Sequence, residues 1–494
     1  MHRKGAFDVA EVLAGLEPKR VFHYFEEICG IPHASYHEEQ ISQYLVDFAK
    51  AHGLAYEQDD LYNVIIIKEA TAGYEQSEPM ILQGHMDMVC EKESDCSKDM
   101  LTEGLELVVE GDDISAKGTT LGGDDGIAVA MALAILESSD IPHPRLEFVC
   151  TVSEEVGMEG ASHLDLSRLQ AKKMLNLDSE EEGVFLAGCA GGGLATVTYP
   201  LLRESRNPQG QMVEIRIDGL RGGHSGAEIH KGRGNANLLL TQMLRNVYSQ
   251  VPFLLVTITG GAKDNAIPRE ASAVVCTKEA ERFVQVLMRE ADQIKEQYGQ
   301  VEPQMQIAVE EAACGEAYAQ PMTKDTTEQL LALITELPNG VIAMSRDMEG
   351  LVETSLNLGI LTAGAKDTQA KLCYCVRSSV ETAFDALIAR MEKTASAYGA
   401  DFQLTGRYPA WEFVKESPLR RQMVGIYREM FGKEPVIDVM HAGVECGMIA
   451  QKIPGLDCVS IGPTMHDIHT PQERLEITST ARTFDFVCEI LRRS

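Results

Sequence analysis

Residues 80–90 read MILQGHMDMVC. The apolar run Met80-Ile81-Leu82 predicts the end of a β-strand and Gly84 predicts a turn. His85 and Asp87 follow, two residues apart. In extended chain, residues i and i+2 project to the same side. One short segment therefore aims an imidazole and a carboxylate at one point, and a metal-binding histidine commonly has a carboxylate that fixes its tautomer. A lone His-x-Asp pair is weak, because most such pairs are surface loops or satisfied core histidines. Its meaning is decided by the residues downstream.

Residues 118–139, GTTLGGDDGIAVAMALAILESS, place Asp124 and Asp125 in a glycine-dense turn. An Ala-rich, thoroughly apolar helix from Ile127 to Leu136 follows, and it should be buried. One acidic residue there reads as a helix cap. Two, in a turn of that composition, suggest backbone bent to present a carboxylate inward. Arg145–Thr151 (RLEFVCT) is a buried strand followed by the adjacent acids Glu154 and Glu155, which repel unless a cation lies between them. Met174–Leu177 is a further strand, with Asp178 at its end. Cys458–Gly462 delivers PTMHDIHTPQE, which holds His466 and His469. In an open, mostly parallel α/β sheet the strand C-terminal ends face one crevice, where ligands bind. Residues 85, 124, 154–155, 178 and 469 can thus converge. The predicted fold class is α/β, a mixed, mostly parallel sheet flanked by helices.

The long gap between Asp178 and His469 predicts that the sheet is interrupted and resumed. The interruption, residues 192–407, has its own rhythm: strand Met212–Ile217, helix Ala236–Tyr248, strands Phe253–Thr259 and Ala271–Thr277, helix Ala280–Tyr298. A second round of strands and helices follows, to Thr382–Tyr398. This reads as an inserted α+β domain, with residues 1–191 and 408–494 forming the domain that carries the acidic cluster. Residues Val9–Gly53 read as helices around the loop IPHASYHEE, whose His33 and His37 read as solvated loop residues or local caps.

At 494 residues two domains are expected. The hydrophobic share of 44% and charged share of 24% are those of an ordinary soluble protein. With 44 Lys and Arg against 75 Asp and Glu, the net charge of −31 argues against nucleic acid as a partner. Twelve cysteines show no CxxC pair and no secreted-framework spacing. The N-terminus has no apolar signal region, and no run reaches membrane-spanning length. These features predict a reduced, cytoplasmic protein with no membrane partner.

Two histidines and several carboxylates, without cysteine, suit a hydrolytic site with two metal ions, in which one carboxylate bridges ions roughly 3.5–4 Å apart. The chain offers His85 and His469, Glu155 and Asp178, and a bridge from Asp124 or Asp125. His466 is an alternative to His469. Glu154 is left over beside the metal-bound water as a general base, and Asp87 orients His85. His441 and Glu445 in MHAGVECG read as crevice-lining or simply hydrogen-bonded.

These residues carry a family resemblance over essentially the whole chain. The sequence resembles the bacterial aminoacyl-histidine dipeptidases (Xaa-His dipeptidases, peptidase D), within the superfamily of di-zinc exopeptidases that have an inserted lid domain. The motifs that carry it are IPHASYHEEQ, LQGHMDMVCEK, GTTLGGDDGIAVA, TVSEEVGMEGA, LDSEEEG, GGHSGAEIHKGRGNAN, DNAIPREA, VETSLNLG, HAGVECG and HTPQERLEI. The resemblance implies zinc ligands His85, Asp124 as the bridge, Glu155, Asp178 and His469. It also implies Asp87 as the orienting residue and Glu154 as the base. His224, in GGHSG, looks like the lid histidine that polarises the scissile carbonyl. Asn265 and Arg377 are weaker candidates for holding the substrate carboxylate. GGDD stands where relatives have GADN, which adds a charge beside the bridge.

The resemblance further implies a cytoplasmic metallodipeptidase that favours unblocked Xaa-His dipeptides. Its cofactors are two divalent ions, zinc first with manganese or cobalt as alternatives, and relatives suggest a homodimer. The rivals are another amide hydrolase on the same scaffold (an N-acyl amino acid deacylase or tripeptide aminopeptidase) and a non-catalytic metal-binding protein.

Overall fold

The computed structural model describes residues 12–205, 209–312 and 320–494. By internal contacts the chain forms two compact units. One comprises the described residues up to Cys189 together with Phe413–Val439 and Val444–Ser494; the other comprises Ala190–Glu412 with Met440–Gly443.

The first unit is built on an eight-stranded sheet. Its order is Ala55–Gln58, Val64–Lys68, Leu146–Thr151, Met80–His85, Lys173–Asn176, Asp457–Ser460, Val184–Cys189, Val436–Met440. The three pairings at its centre, from Leu146–Thr151 across to Asp457–Ser460, are parallel, while Ala55–Gln58 and Val64–Lys68 pair antiparallel at one edge. Every residue of Met80–His85 and Leu146–Thr151 is buried. That is why these strands read as mostly apolar rather than alternating, with Gln83 and Glu147 as buried polar exceptions. The helix Gly123–Glu137 is buried through Leu136, as an all-round apolar helix must be, and the helix Lys19–Cys29 lies against it. Leu133, in that helix, is fully buried. Leu133→Ala is expected to cost about 2–5 kcal/mol, read as a lowered urea midpoint for unfolding.

The second unit carries an antiparallel sheet containing Gln211–Asp218, Leu254–Gly260, Ala271–Thr277, Val352–Ala363, Gln369–Ser378 and Gly191–Pro200. Alternate residues of these strands, such as Val213, Ile215 and Ile217 or Leu372, Tyr374 and Val376, share one core with Leu240, Leu287, Leu330 and Leu387 from four helices. This is the expected α+β packing of one sheet face on helices. The whole is a mixed α/β fold, as the strand and helix rhythm of the sequence predicts.

Two local expectations are corrected. The backbone does not turn at Gly84, because the strand runs through it to His85. Glycine is needed there for another reason: a Cβ would sit 2.4 Å from Asp125 Oδ2. His33 is not solvated; it is 2% exposed, with its ring Nδ1 against the Ile31 carbonyl. Among the described residues no helix is long and apolar enough to cross a membrane.

Candidate metal centre

Three parallel strands deliver the site. Met80–His85 ends on His85, Leu146–Thr151 runs on to Glu154 and Glu155, and Lys173–Asn176 runs on to Asp178. The fourth, Asp457–Ser460, leads to the loop that holds His469. Asp124 comes from the turn that opens the buried helix, where Gly122 takes a φ of +67°, a conformation that favours glycine.

Asp124 stands between the two histidines. His85 Nε2 is 3.1 Å from its Oδ1, and His469 Nε2 is 3.1 Å from its Oδ2. Each Nε2 has one further carboxylate: Asp178 Oδ1 at 3.6 Å from His85 Nε2, and Glu155 Oε1 at 2.8 Å from His469 Nε2. His466, the alternative, pairs instead with Glu476 at 2.9 Å. Asp125 lies behind His85, its Oδ2 accepting the His85 backbone N–H at 3.1 Å.

Asp87 ties the parts together. Its Oδ1 is 3.4 Å from His85 Nδ1 and accepts the Glu154 N–H at 3.0 Å. Its Oδ2 accepts the Glu155 N–H at 3.3 Å and the Ser35 hydroxyl at 2.8 Å. The Asp87 backbone carbonyl also lies 3.0 Å from His85 Nδ1, so this residue faces the imidazole with both groups while its carboxylate holds the turn that carries both glutamates. Glu38 supports the same turn by accepting from the N–H and hydroxyl of Ser153, at 2.9 and 2.8 Å. Ser153 and His469 both adopt left-handed backbone, with φ of 52° and 61°. Non-glycine residues in that region carry strain that tends to collect at functional sites.

Burial and the crowding of charges shift the histidines and acids of the cluster together. Burial works against a charged His85, but Asp178, Asp124 and Asp87 together hold it well above its ordinary range. Asp124 and Glu155 push His469 up to about 11. Burial raises Asp178 to about 8, with Asp124 and Glu445 adding to the effect of burial and His85 opposing it. Burial likewise lifts Glu154 well above the carboxylate range, with Asp178, Glu445 and Glu155 reinforcing. Acids crowded into a buried space favour a cation among them.

The donor set fits metal. Donors sharing a tetrahedral ion at about 2.0–2.2 Å lie about 3.3–3.6 Å from one another, close to the spacings around Asp124. Oδ1 of Asp125 is buried with no hydrogen-bond partner among the described residues. Two overlapping groups, His85 with Asp124 and Glu155 and His85 with Asp125 and Asp178, have ligand atoms within 4.8 Å of one another and could hold a metal ion.

Two buried glutamates complete the surroundings, Glu473, which has no role read from the sequence, and Glu445, which is hydrogen-bonded as its reading allowed. Glu473, 2% exposed, accepts the backbone N–H groups of the Asp124 turn. Glu445 accepts from Gln83 and Thr151, each at 2.6 Å, and burial raises it to about 7. Glu473 does not show in sequence, because an acceptor for backbone donors leaves no motif.

The remaining predicted residues belong to the second unit. His224 Nδ1 accepts the N–H groups of Gly226 and Ala227, at 3.3 and 3.0 Å. The ring proton is therefore on Nε2. Burial and Arg377 lower its pKa, which keeps the ring neutral. Arg377 is 8% exposed and donates from Nη1 to the Tyr408 hydroxyl at 2.9 Å, while its Nε is buried without a hydrogen-bond partner among the described residues. A Cβ on Gly226 would meet Arg377 Nε at 3.0 Å and His224 Cε1 at 3.1 Å, so the two side chains flank one point. His441 bonds Ser355 Oγ at 2.7 Å. Asn265 is exposed, and its carbonyl accepts the Ser225 N–H at 2.8 Å.

Comparison with known proteins agrees with this picture. The chain is 36% identical to the cytosol non-specific dipeptidase of Escherichia coli (strain K12), over 97% of this chain and 98% of that one. Its structure is similar to that of an aminoacylhistidine dipeptidase from Vibrio alginolyticus, with a TM-score of 0.90 and 34% identity over 98% of each chain. An aminopeptidase from Bacillus cereus shares the fold, with a TM-score of 0.55 and 17% identity over 96% of this chain and 98% of that one. The model of peptidase family M20/M25/M40 matches residues 81–493. With its strand-end acids and histidines inside that match, the chain belongs to peptidase family M20/M25/M40.

Proposed function

We propose that the chain is a metal-dependent dipeptidase whose two divalent ions are held by His85, Asp124 and Asp178 on one side and by His469, Asp124 and Glu155 on the other. The observation that carries this reading is the Asp124 carboxylate, with one oxygen 3.1 Å from each histidine. Nitrogen and oxygen donors without sulfur suit zinc, and manganese or cobalt also accept such a set. When bound, the pair supplies Lewis acidity for a carbonyl oxygen and acidifies a water.

The side chains do the rest. Glu154 takes the proton from the attacking water and passes it to the leaving amine. Asp87 keeps the Nδ1 side of His85 turned toward itself, which leaves Nε2 for the ion. His224 donates from Nε2 to the scissile carbonyl as negative charge develops there. Arg377, with Nε unspent, and Asn265 hold the substrate's terminal carboxylate. The first unit is then the catalytic domain and the second the lid and substrate-binding domain.

Relatives named as a non-specific dipeptidase and an aminoacylhistidine dipeptidase support the dipeptide class. We infer a preference for unblocked Xaa-His, a cytoplasmic location and a homodimer. The test is a substrate panel before and after chelation. Chelator-treated protein is expected to lose hydrolysis of Ala-His, and Zn2+, Mn2+ or Co2+ to restore it. The kcat/KM for Ala-His should exceed that for a tripeptide or an N-acetyl amino acid by about 100-fold. Faster cleavage of either competitor would replace this reading with an aminopeptidase or deacylase.

A further inference from the structure

The turn that delivers Asp124 presents four consecutive backbone N–H groups, Leu121 to Asp124, where the helix Gly123–Glu137 begins. One side chain takes all four. Glu473 Oε2 accepts from Leu121 and Gly122 at 2.8 and 3.2 Å, and Oε1 accepts from Gly123 and Asp124 at 2.8 and 3.4 Å. The carboxylate is 2% exposed, and its charge complements the positive end of the helix. The Glu473 N–H donates to the Thr470 carbonyl at 3.1 Å, so Glu473 and His469 belong to one tight loop. Asp124 and His469 face each other at 3.1 Å, and Glu473 is the clamp between the two segments that carry them.

We propose that Glu473 is a positioning residue for the metal pair, pinning the Asp124 turn to the His469 loop and so fixing how far apart the two ligands stand. It touches neither substrate nor ion. Both of its oxygens are needed, since each serves two donors. A carboxamide keeps one acceptor and turns an NH2 group toward the other two N–H groups, which forces that side of the turn away. The Asp124 carboxylate then leaves its place between His85 and His469. The inference rests on the reading of Asp124 as a shared ligand.

The test compares the full-length wild type with Glu473→Gln and Glu473→Asp, by calorimetric Co2+ titration and visible Co2+ absorption. Wild type should take up two equivalents. Glu473→Gln should bind Co2+ about 10–100-fold more weakly, with altered band positions and intensity. Its kcat for Ala-His should fall while KM stays close to that of wild type. Glu473→Asp keeps both oxygens on a shorter arm and should recover part of the affinity. Wild-type affinity and spectrum in Glu473→Gln would overturn the proposal even if its melting temperature dropped, because Glu473 would then be a structural clamp alone. If Glu473→Gln does not fold, Glu473→Asp decides: an intermediate loss supports the proposal, and wild-type binding overturns it. A wild-type chain that took up no Co2+ would sink the metal reading itself, a separate failure.

Discussion

Glu154→Gln lowers kcat for Ala-His by about 10^2–10^4-fold, the range for losing a positioned general base, while two equivalents of metal stay bound. The expectation comes from how the turn is held. Asp87 grips it through the backbone N–H groups of Glu154 and Glu155, not through the Glu154 side chain. An amide of the same shape therefore leaves the turn, Asp87 and the His85 contact in place. It removes only the ability to take a proton. Burial raises the proton affinity of the Glu154 carboxyl, and Asp178, Glu445 and Glu155 raise it further against the pull of His85. Metal analysis beside steady-state kinetics checks this. Wild-type turnover with full metal content would remove Glu154 from the mechanism, and loss of metal would make it a ligand.

The second large effect is Asp124→Ala, which should abolish both metal retention and turnover. The expected fall exceeds about 10^4-fold, because proton transfer and Lewis acidity are lost together. Each oxygen of Asp124 faces a different histidine, so no partial site survives its removal. The paired control is Asp125→Asn. Asp125 Oδ2 accepts the His85 N–H, which an amide oxygen also does, so this variant should keep most of the activity. Metal content after gel filtration and rates on Ala-His distinguish the two aspartates. Equal losses in both variants would mean that the pair acts as one unit.

The two aspartates also show how far sequence carries. Their turn was legible from four glycines before an apolar helix, but which carboxylate faces both histidines was not legible from spacing, and the resemblance alone pointed to Asp124. Adjacent residues share composition and spacing, and only backbone geometry separates them. The convergence of His85, Glu155, Asp178 and His469 was legible for a firmer reason. Buried parallel strands read as mostly apolar segments, and their C-terminal ends share a crevice. Helices Ala236–Tyr248 and Ala280–Tyr298 show their bounds through amphipathic spacing. The strand Gly191–Pro200 did not show, since Gly191, Gly192 and Gly193 mask any strand preference. Nor did Glu473, Ser35 and Glu38, whose partners are hundreds or tens of residues away in the chain. His33 looked like a loop residue and is buried, because the loop around it folds onto Asp87 and Ser153.

The strand Asp457–Ser460 lies between Lys173–Asn176 and Val184–Cys189, although it comes near the end of the chain. During synthesis the ribosome must pass through the whole second unit and release Asp457–Ser460 before that slot can be filled. The sheet of the second unit, encoded between residues 190 and 412, can form well before then. Until the slot is filled, the nascent protein carries an open strand edge that invites wrong partners. A delay in translating the segment that holds Asp457–Ser460 would therefore endanger the first unit more than the second.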